Sequence, residues 1–132
     1  MSLPTFHLVD AAPQAVAPFS QAAEIDGWVF LTGQMPTWPD DPDKPLPDGI
    51  DAQTRRVMDN LIIVLEAVGL SLDNVVQVRA FLTEFDRDYA AMNAAYQSYF
   101  EPGSLPARTC VGVTGLAVGA LVEIDLVARR PQ

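Results

Sequence analysis

Two strand-like runs in the last quarter of the chain, 106–113 and 121–128, restrict the fold more than any other feature. Successive side chains of a β-strand point to opposite faces of its sheet. Arg108 and Cys110 therefore share one face of the first run. In the second run every other residue is apolar, which leaves Glu123 on the opposite side. This alternation predicts strands and not helices.

A hairpin between the two runs is the simplest way to join them. If its turn centres between residues 116 and 117, Cys110 lies opposite Glu123 and Arg108 lies opposite Asp125. A slip of one residue in this register would exchange the two faces. With this pairing, we expect an arginine, a thiol and a carboxylate to meet on one face of the sheet.

Composition limits the kinds of site that these side chains can form. The chain has 132 residues, 49% of them hydrophobic, which fits one globular domain over 1–132 with a substantial core. A net charge of −9 disfavours binding to nucleic acid or to an acidic membrane. A single cysteine and a single histidine, His7, disfavour an internal disulfide, a metal site and a Ser-His-Asp triad. No apolar run approaches the ~20 residues that span a bilayer, so we expect a cytoplasmic protein.

The remaining elements follow from local patterns. Asp26-Gly27 is a strong signal for a type I′ turn between two strands. An apolar stripe at helical spacing predicts a helix from Asp51, as N-cap, to a left-handed Gly69. The predicted strands are 6–9, 19–25, 28–32, 75–83 and the two runs above, and the predicted helices are 51–70 and 86–100. The expected fold is α+β, a mixed sheet with two helices on one face in the order β-β-β-α-β-α-β-β.

Two helices cover only one face of such a sheet. We expect Arg108 and Cys110 to lie on the uncovered face together with Gln77, Arg79 and Phe81. A semi-polar, uncovered face indicates contact with another subunit.

Each candidate side chain has a structural and a functional interpretation. Arg108 either holds a substrate carboxylate through two hydrogen bonds or forms a salt bridge with Asp125 or Glu123. Glu123 either positions and deprotonates a water or is an exposed strand residue. Cys110 is a nucleophile, with a pKa somewhat lowered by Arg108, or a small residue that lines a pocket. Asn93, within the apolar stripe of the second helix, is a buried polar group or a site residue.

The proline-rich segment 36–49 is either a solvated connection or a mobile lid. No phosphate-binding loop is present in the sequence, since the glycine-rich spacing that defines one is missing.

Eight short stretches, in this order and at these spacings, give a family resemblance over nearly the whole chain. They are 18–22 (PFSQA), 32–36 (TGQMP), 53–61 (QTRRVMDNL), 65–69 (LEAVG), 81–83 (FLT), 92–96 (MNAAY), 106–111 (PARTCV) and 119–124 (GALVEI). On these residues the chain resembles the RidA/YjgF/YER057c/UK114 family.

The resemblance implies a chorismate-mutase-like α+β fold and a homotrimer with clefts between its subunits. It also implies hydrolysis of reactive enamines and imines, such as 2-aminoacrylate and 2-iminopropanoate, to 2-keto acids and ammonia without a cofactor or a metal. Carried over by position, Arg108 would hold the substrate carboxylate, Cys110 would line the pocket and Glu123 would hold the attacking water. Asn93 and Gly33 match positions around the cleft.

One residue departs from the family pattern. Phe19 stands where many deaminating members have tyrosine, so one polar contact is missing. This indicates a lower activity, a larger or more apolar substrate, or a divergent branch. A trimer that binds small carboxylates without catalysis is the alternative function. A ribonuclease or translation-inhibitor role, ascribed to some relatives, is disfavoured by the net charge of −9.

Overall fold

Six β-strands form one mixed sheet, and two α-helices pack against one of its faces. The computed structural model describes residues 2–132. Its elements are β1 (Thr5–His7), β2 (Ala22–Ile25), β3 (Trp28–Gln34), α1 (Gly49–Ala67), β4 (Val75–Leu82), α2 (Phe85–Gln97), β5 (Ala107–Gly112) and β6 (Val122–Arg129), with short 3₁₀ segments at Leu72–Asn74 and Ala117–Gly119. The predicted order of strands and helices and the α+β class are confirmed.

The core lies between the helices and the central strands. The α1 residues Val57, Leu61, Val64 and Leu65 are fully buried. Residues of β6 alternate between buried and half-buried positions along its whole length. The strand therefore places its apolar face, which begins at Val122, under the helices and its polar face on the other side of the sheet.

Local signals predicted two chain reversals correctly. Asp26 and Gly27 have φ values of 52° and 83°, and they join β2 to β3 with Ile25 opposite Trp28. Gly69 ends the α1 region with a φ of 80°. The helix begins earlier than expected, with Asp48 and not Asp51 as N-cap. Asp51 lies in the first turn, where its carboxylate accepts a hydrogen bond from Arg55 at 3.1 Å.

The expected hairpin between β5 and β6 is wrong. The strands lie in the order β1-β2-β3-β6-β4-β5, so β4 separates the two. β5 is parallel to β4 because α2 carries the chain across the sheet, as a crossover between parallel strands requires. The chain then passes β4 and inserts β6 antiparallel between β3 and β4. Both edges of β6 are therefore hydrogen-bonded to neighbouring strands.

Candidate active site

Arg108 and Cys110 lie on the face of the sheet that the helices cover. Their partners on β4 are Val78 and Ala80, which are buried under the helices. Residues directly opposite each other in a ladder point to the same face. The expectation that Arg108 and Cys110 lie on the uncovered face is therefore wrong. β5 is an edge strand, so both side chains stay half-buried at the border of the helical layer.

Glu123 lies on the other face. It pairs with Phe81 of β4, while Ile124 pairs with the buried Ala80. The insertion of β4 places Cys110 in line with Ile124, one residue away from the hairpin register. Within one chain, the sheet separates Glu123 from Arg108 and Cys110, so the predicted meeting of the three side chains on one face is wrong.

The guanidinium of Arg108 forms no ion pair within residues 2–132. The salt bridge considered as its structural role is made by another arginine. Arg79 donates two hydrogen bonds to Asp125, at 3.0 and 2.7 Å, on the open face. Arg108 lies instead 5.1 Å from the ring centroid of Tyr96, and its Nη1 is 4.0 Å from the sulfur of Met92. Its charge therefore remains available to an anion.

A cleft of about 360 Å³ opens beside this guanidinium. Its lining comprises Asn93, Tyr96, Gln97, Leu105, Pro106 and Arg108. α2 supplies the first three residues, the segment before β5 supplies Leu105 and Pro106, and β5 itself supplies Arg108. The structure thus brings two of the candidate residues, Asn93 and Arg108, to one cleft. The buried Oδ1 of Asn93 has no hydrogen-bond partner within the described chain.

The surroundings of Cys110 disfavour its thiolate form. Burial raises the pKa of its thiol, and the nearby charge of Arg108 lowers the pKa by less. The expected lowering by Arg108 is present, but burial outweighs it and the net shift of the pKa is upward. The reactive form of cysteine is the thiolate, so the raised pKa disfavours the nucleophile among the two interpretations of Cys110.

Glu123 lies against Gly33 of β3. A Cβ built on Gly33 would overlap the Glu123 carboxylate, so only glycine leaves space for this position of the acid. Burial raises the pKa of Glu123, and the negative charge of Asp125 raises it further. A carboxylate with a raised pKa is a better acceptor of protons from water.

Phe19 belongs to the same side of the sheet as Glu123. It borders a shallow cavity of about 400 Å³ together with Phe6, Phe30, Thr32 and Arg79. The hydroxyl of Thr32 donates a hydrogen bond to the carbonyl of Ser20, which fixes the segment after Phe19 to β3. The candidate residues thus form two groups, one with Arg108 and one with Glu123.

The two tyrosines flanking Arg108 were not identified as site residues from the sequence. The apolar stripe predicted for α2 consists of Tyr89, Met92, Tyr96 and Phe100 around Asn93, but the stripe alone does not indicate what it covers. A helix that connects two parallel strands crosses over the sheet in a right-handed sense. This rule places α2 over the edge where β5 runs beside β4, and it could have identified the tyrosines.

No group of three or more His, Cys, Asp or Glu side chains is placed to hold a metal ion in the part of the chain that the structure describes. Among residues 2–132, no helix combines the length and the apolar composition needed to cross a membrane.

Comparison with known proteins places this architecture in a family. A family model described as Endoribonuclease L-PSP matches residues 9–130. Protein DfrA of Myxococcus xanthus is 43% identical over 121 residues, covering 90% of each chain. A mouse protein named 2-iminobutanoate/2-iminopropanoate deaminase is 34% identical over 117 residues, covering 89% of this chain and 84% of its own.

Several other relatives carry general RutC family names. Among solved structures, E. coli TdcF with bound serine matches with a TM-score of 0.88 at 28% identity, covering 96% of this chain and 99% of that one. The sequence match over nearly the whole chain and the shared sheet and helices agree: this chain belongs to the RidA/YjgF family.

Proposed function

We propose that this protein hydrolyses 2-aminoacrylate and 2-iminopropanoate type intermediates to 2-keto acids and ammonia in the cytoplasm. The observation that carries the proposal is the guanidinium of Arg108, which borders a cleft and has no carboxylate partner among residues 2–132. The name of the mouse relative supports the reaction, and the serine bound to TdcF supports a ligand of amino-acid size.

The chemistry needs two groups with separate tasks. Arg108 donates parallel hydrogen bonds to the substrate carboxylate and fixes its orientation. Glu123 accepts a proton from a water, whose oxygen bonds to the imine carbon. The carbon–nitrogen bond then breaks, the nitrogen leaves as ammonia after it is protonated, and the keto acid remains. An imine carbon is already electrophilic, so orientation and one placed water supply much of the acceleration. Cys110 lines the site, and no cofactor takes part.

The two groups belong to different subunits of a homotrimer in this proposal. Arg108, Cys110 and Asn93 lie on one side of the sheet, and Glu123 on the other, so one chain presents two half-sites. The open face also exposes apolar side chains such as Phe6 and Phe30, which are 64% and 47% exposed. Exposed apolar surface of this kind favours contact between subunits.

Hydrolysis of imines generated in situ by an amino-acid oxidase tests the proposal. Arg108→Ala should raise KM at least about tenfold, because the substrate loses its charged partner. Glu123→Gln should lower kcat by about a hundredfold, because the general base is lost. Arg55→Ala, on the exposed surface of α1, is the matched control. An unchanged rate for Arg108→Ala would contradict the role of the arginine.

Phe19 allows a second test with the same assay. Its ring adds to an aromatic surface that includes Phe6 and Phe30 and offers no hydroxyl. We expect Phe19→Tyr to raise kcat/KM for the alanine-derived imine about two- to tenfold relative to the leucine-derived imine, since it adds one hydrogen-bonding group. An unchanged ratio would show that this position does not select the substrate.

Non-catalytic binding of small carboxylates is the second candidate function, and Phe19 is the residue that favours it. Calorimetry that shows 2-ketobutyrate binding to a protein without deaminase activity would support it. A ribonuclease role is opposed by the net charge of −9. A salt-sensitive shift of RNA at micromolar protein would argue for that role.

A further inference from the structure

An aromatic row on α2 surrounds Arg108. Phe85, Tyr89, Tyr96 and Phe100 follow each other at spacings that keep them on one side of the helix and the turn after it. Phe85 stacks on Tyr89 with ring centroids 4.7 Å apart, and Tyr96 packs on Phe100 at 5.0 Å. The guanidinium of Arg108 lies between these two pairs, 6.0 Å from the Tyr89 ring and 5.1 Å from the Tyr96 ring.

The row is anchored to the strand that carries Arg108. The backbone of Gly112, at the end of β5, lies so close to Phe85 that a Cβ on the glycine would meet the Cβ of Phe85 at 3.1 Å. At the other end, Tyr96 is only 4% exposed. Packing therefore holds Phe85 and Tyr96 along β5, and Tyr89, stacked on Phe85, lies at the more exposed edge of the row.

An aromatic ring and a carboxylate hold a guanidinium in different ways. The face of a ring attracts a cation but offers no strong acceptor for its N–H groups. A carboxylate partner would neutralise the charge and occupy the same donors that a substrate carboxylate needs. Four other arginines are held by carboxylates in this way: Arg55, Arg79, Arg87 and Arg130. Arg108 is flanked by rings instead.

We propose that Tyr89 and Tyr96 are positioning residues that orient the Arg108 guanidinium toward a ligand carboxylate while leaving its donors free. The inference rests on the proposed function for its substrate. Beyond that function, the inference states that the two tyrosine rings contribute to the affinity for the carboxylate in addition to Arg108.

Leucine and phenylalanine substitutions at each tyrosine separate the ring from the hydroxyl. Tyr89→Leu and Tyr96→Leu should raise KM for the alanine-derived imine about three- to tenfold with kcat nearly unchanged, because a cation–π contact is lost. Tyr89→Phe and Tyr96→Phe keep the ring and should stay within about twofold of wild type. Tyr89, which is 37% exposed, is the safer position if Tyr96→Leu fails to fold.

Calorimetry with pyruvate, the product of the same imine, gives a readout that does not depend on turnover. The leucine variants should weaken pyruvate binding by the same factor as KM. Tyr99→Leu is the control, since Tyr99 donates its hydrogen bond to Asp59 and is not among the rings that flank Arg108.

Folded leucine variants with unchanged KM and unchanged pyruvate affinity would overturn the inference. Phenylalanine variants as weak as the leucine variants would overturn it as well. Loss of the proposed function has a different signature: the wild type would hydrolyse no imine. Weaker pyruvate binding by Tyr89→Leu would support the positioning role in that case too.

Discussion

In the candidate site, the backbone of Gly33 limits where the Glu123 carboxylate can lie. The missing side chain of Gly33 provides the space that the Glu123 carboxylate occupies. Because this carboxylate is the end of a flexible side chain, it can move away from a new methyl group at little cost to the fold. The glycine therefore determines where the acid lies, more than whether the protein folds.

Gly33→Ala should accordingly separate activity from stability. We expect kcat to fall at least tenfold because the displaced carboxylate no longer holds the attacking water, while the free energy of unfolding changes by about 1 kcal/mol or less. Imine turnover and denaturant unfolding measure the two effects. Gly115→Ala is the control, since nothing lies within 4 Å of a Cβ at that position. A stability loss without an activity loss would contradict this role for Gly33.

The raised pKa of Glu123 predicts a pH profile. A general base works in its deprotonated form, so kcat/KM should fall as the pH drops through the pKa of Glu123, which lies above its ordinary value of 4.5. Burial is the main cause and Asp125 the second. Asp125→Asn should therefore shift the acid limb to lower pH, whereas Asp73→Asn should leave it in place. An acid limb unmoved by Asp125→Asn would exclude Glu123 as the titrating base.

At the scale of elements, one ion-pair cluster joins the start of the sheet to its last strand. Glu24 of β2 accepts two hydrogen bonds from Arg130, at 2.5 and 2.9 Å, and its Oε1 lies 3.1 Å from Nε2 of His7. These contacts, with the Arg130 hydrogen bonds as the largest cause, lower the pKa of Glu24 to about 2. The cluster therefore connects β1, β2 and the residue after β6.

Glu24→Gln should destabilise the protein in a pH-dependent way. The folded pKa of Glu24 is depressed, so its contribution is present above the unfolded pKa near 4.5 and is lost as the pH falls toward 2. We expect a loss of about 1 kcal/mol at pH 7 that disappears by pH 2. Urea unfolding across this range measures it. Asp51→Asn, which breaks an exposed pair on α1, should change little at any pH. A constant difference across the range would argue against the ion pairs.

The sequence predicted those elements whose signals are local. The alternation that begins at Val122, the Asp26-Gly27 turn and the stripe of α1 each depend on neighbours in the chain, and each was found. The pairing of β5 with β4 depends on where α2 crosses the sheet. The alternation of apolar and polar residues along a strand does not reveal which strand lies beside it. The candidate residues on each face were chosen from the family motifs, and their roles stay predictions. Their separation by the sheet followed only from the strand order.

At the scale of the whole molecule, the separation of Arg108 from Glu123 predicts complementation between two impaired variants at substrate concentrations well below KM. Arg108→Ala and Glu123→Gln subunits each keep one intact half-site. After co-expression in equal amounts, about a quarter of the sites in a mixed trimer should join an intact Arg108 to an intact Glu123. The measurement is imine turnover of the mixture against each variant alone. Mass analysis should confirm the trimer, and a mixed trimer without recovered activity would contradict sites shared between subunits.

The proline-rich loop between β3 and α1 is held at both ends by side chains of one helix. Asn60 donates hydrogen bonds to the carbonyls of Met35 and Thr37, and Gln53 donates one to Pro47 while it accepts one from the amide of Leu121. These contacts favour a connection over a mobile lid as the interpretation of this segment.

Near its middle, the Trp38 indole donates a hydrogen bond to the carbonyl of Pro45 at 2.9 Å, which closes residues 39–44 into a tip that borders the segment after β1. The length of that tip is therefore uncoupled from the sheet register and from the placement of Glu123. Insertions there, whether acquired in evolution or introduced as an engineered peptide, would add a new surface without altering the sheet.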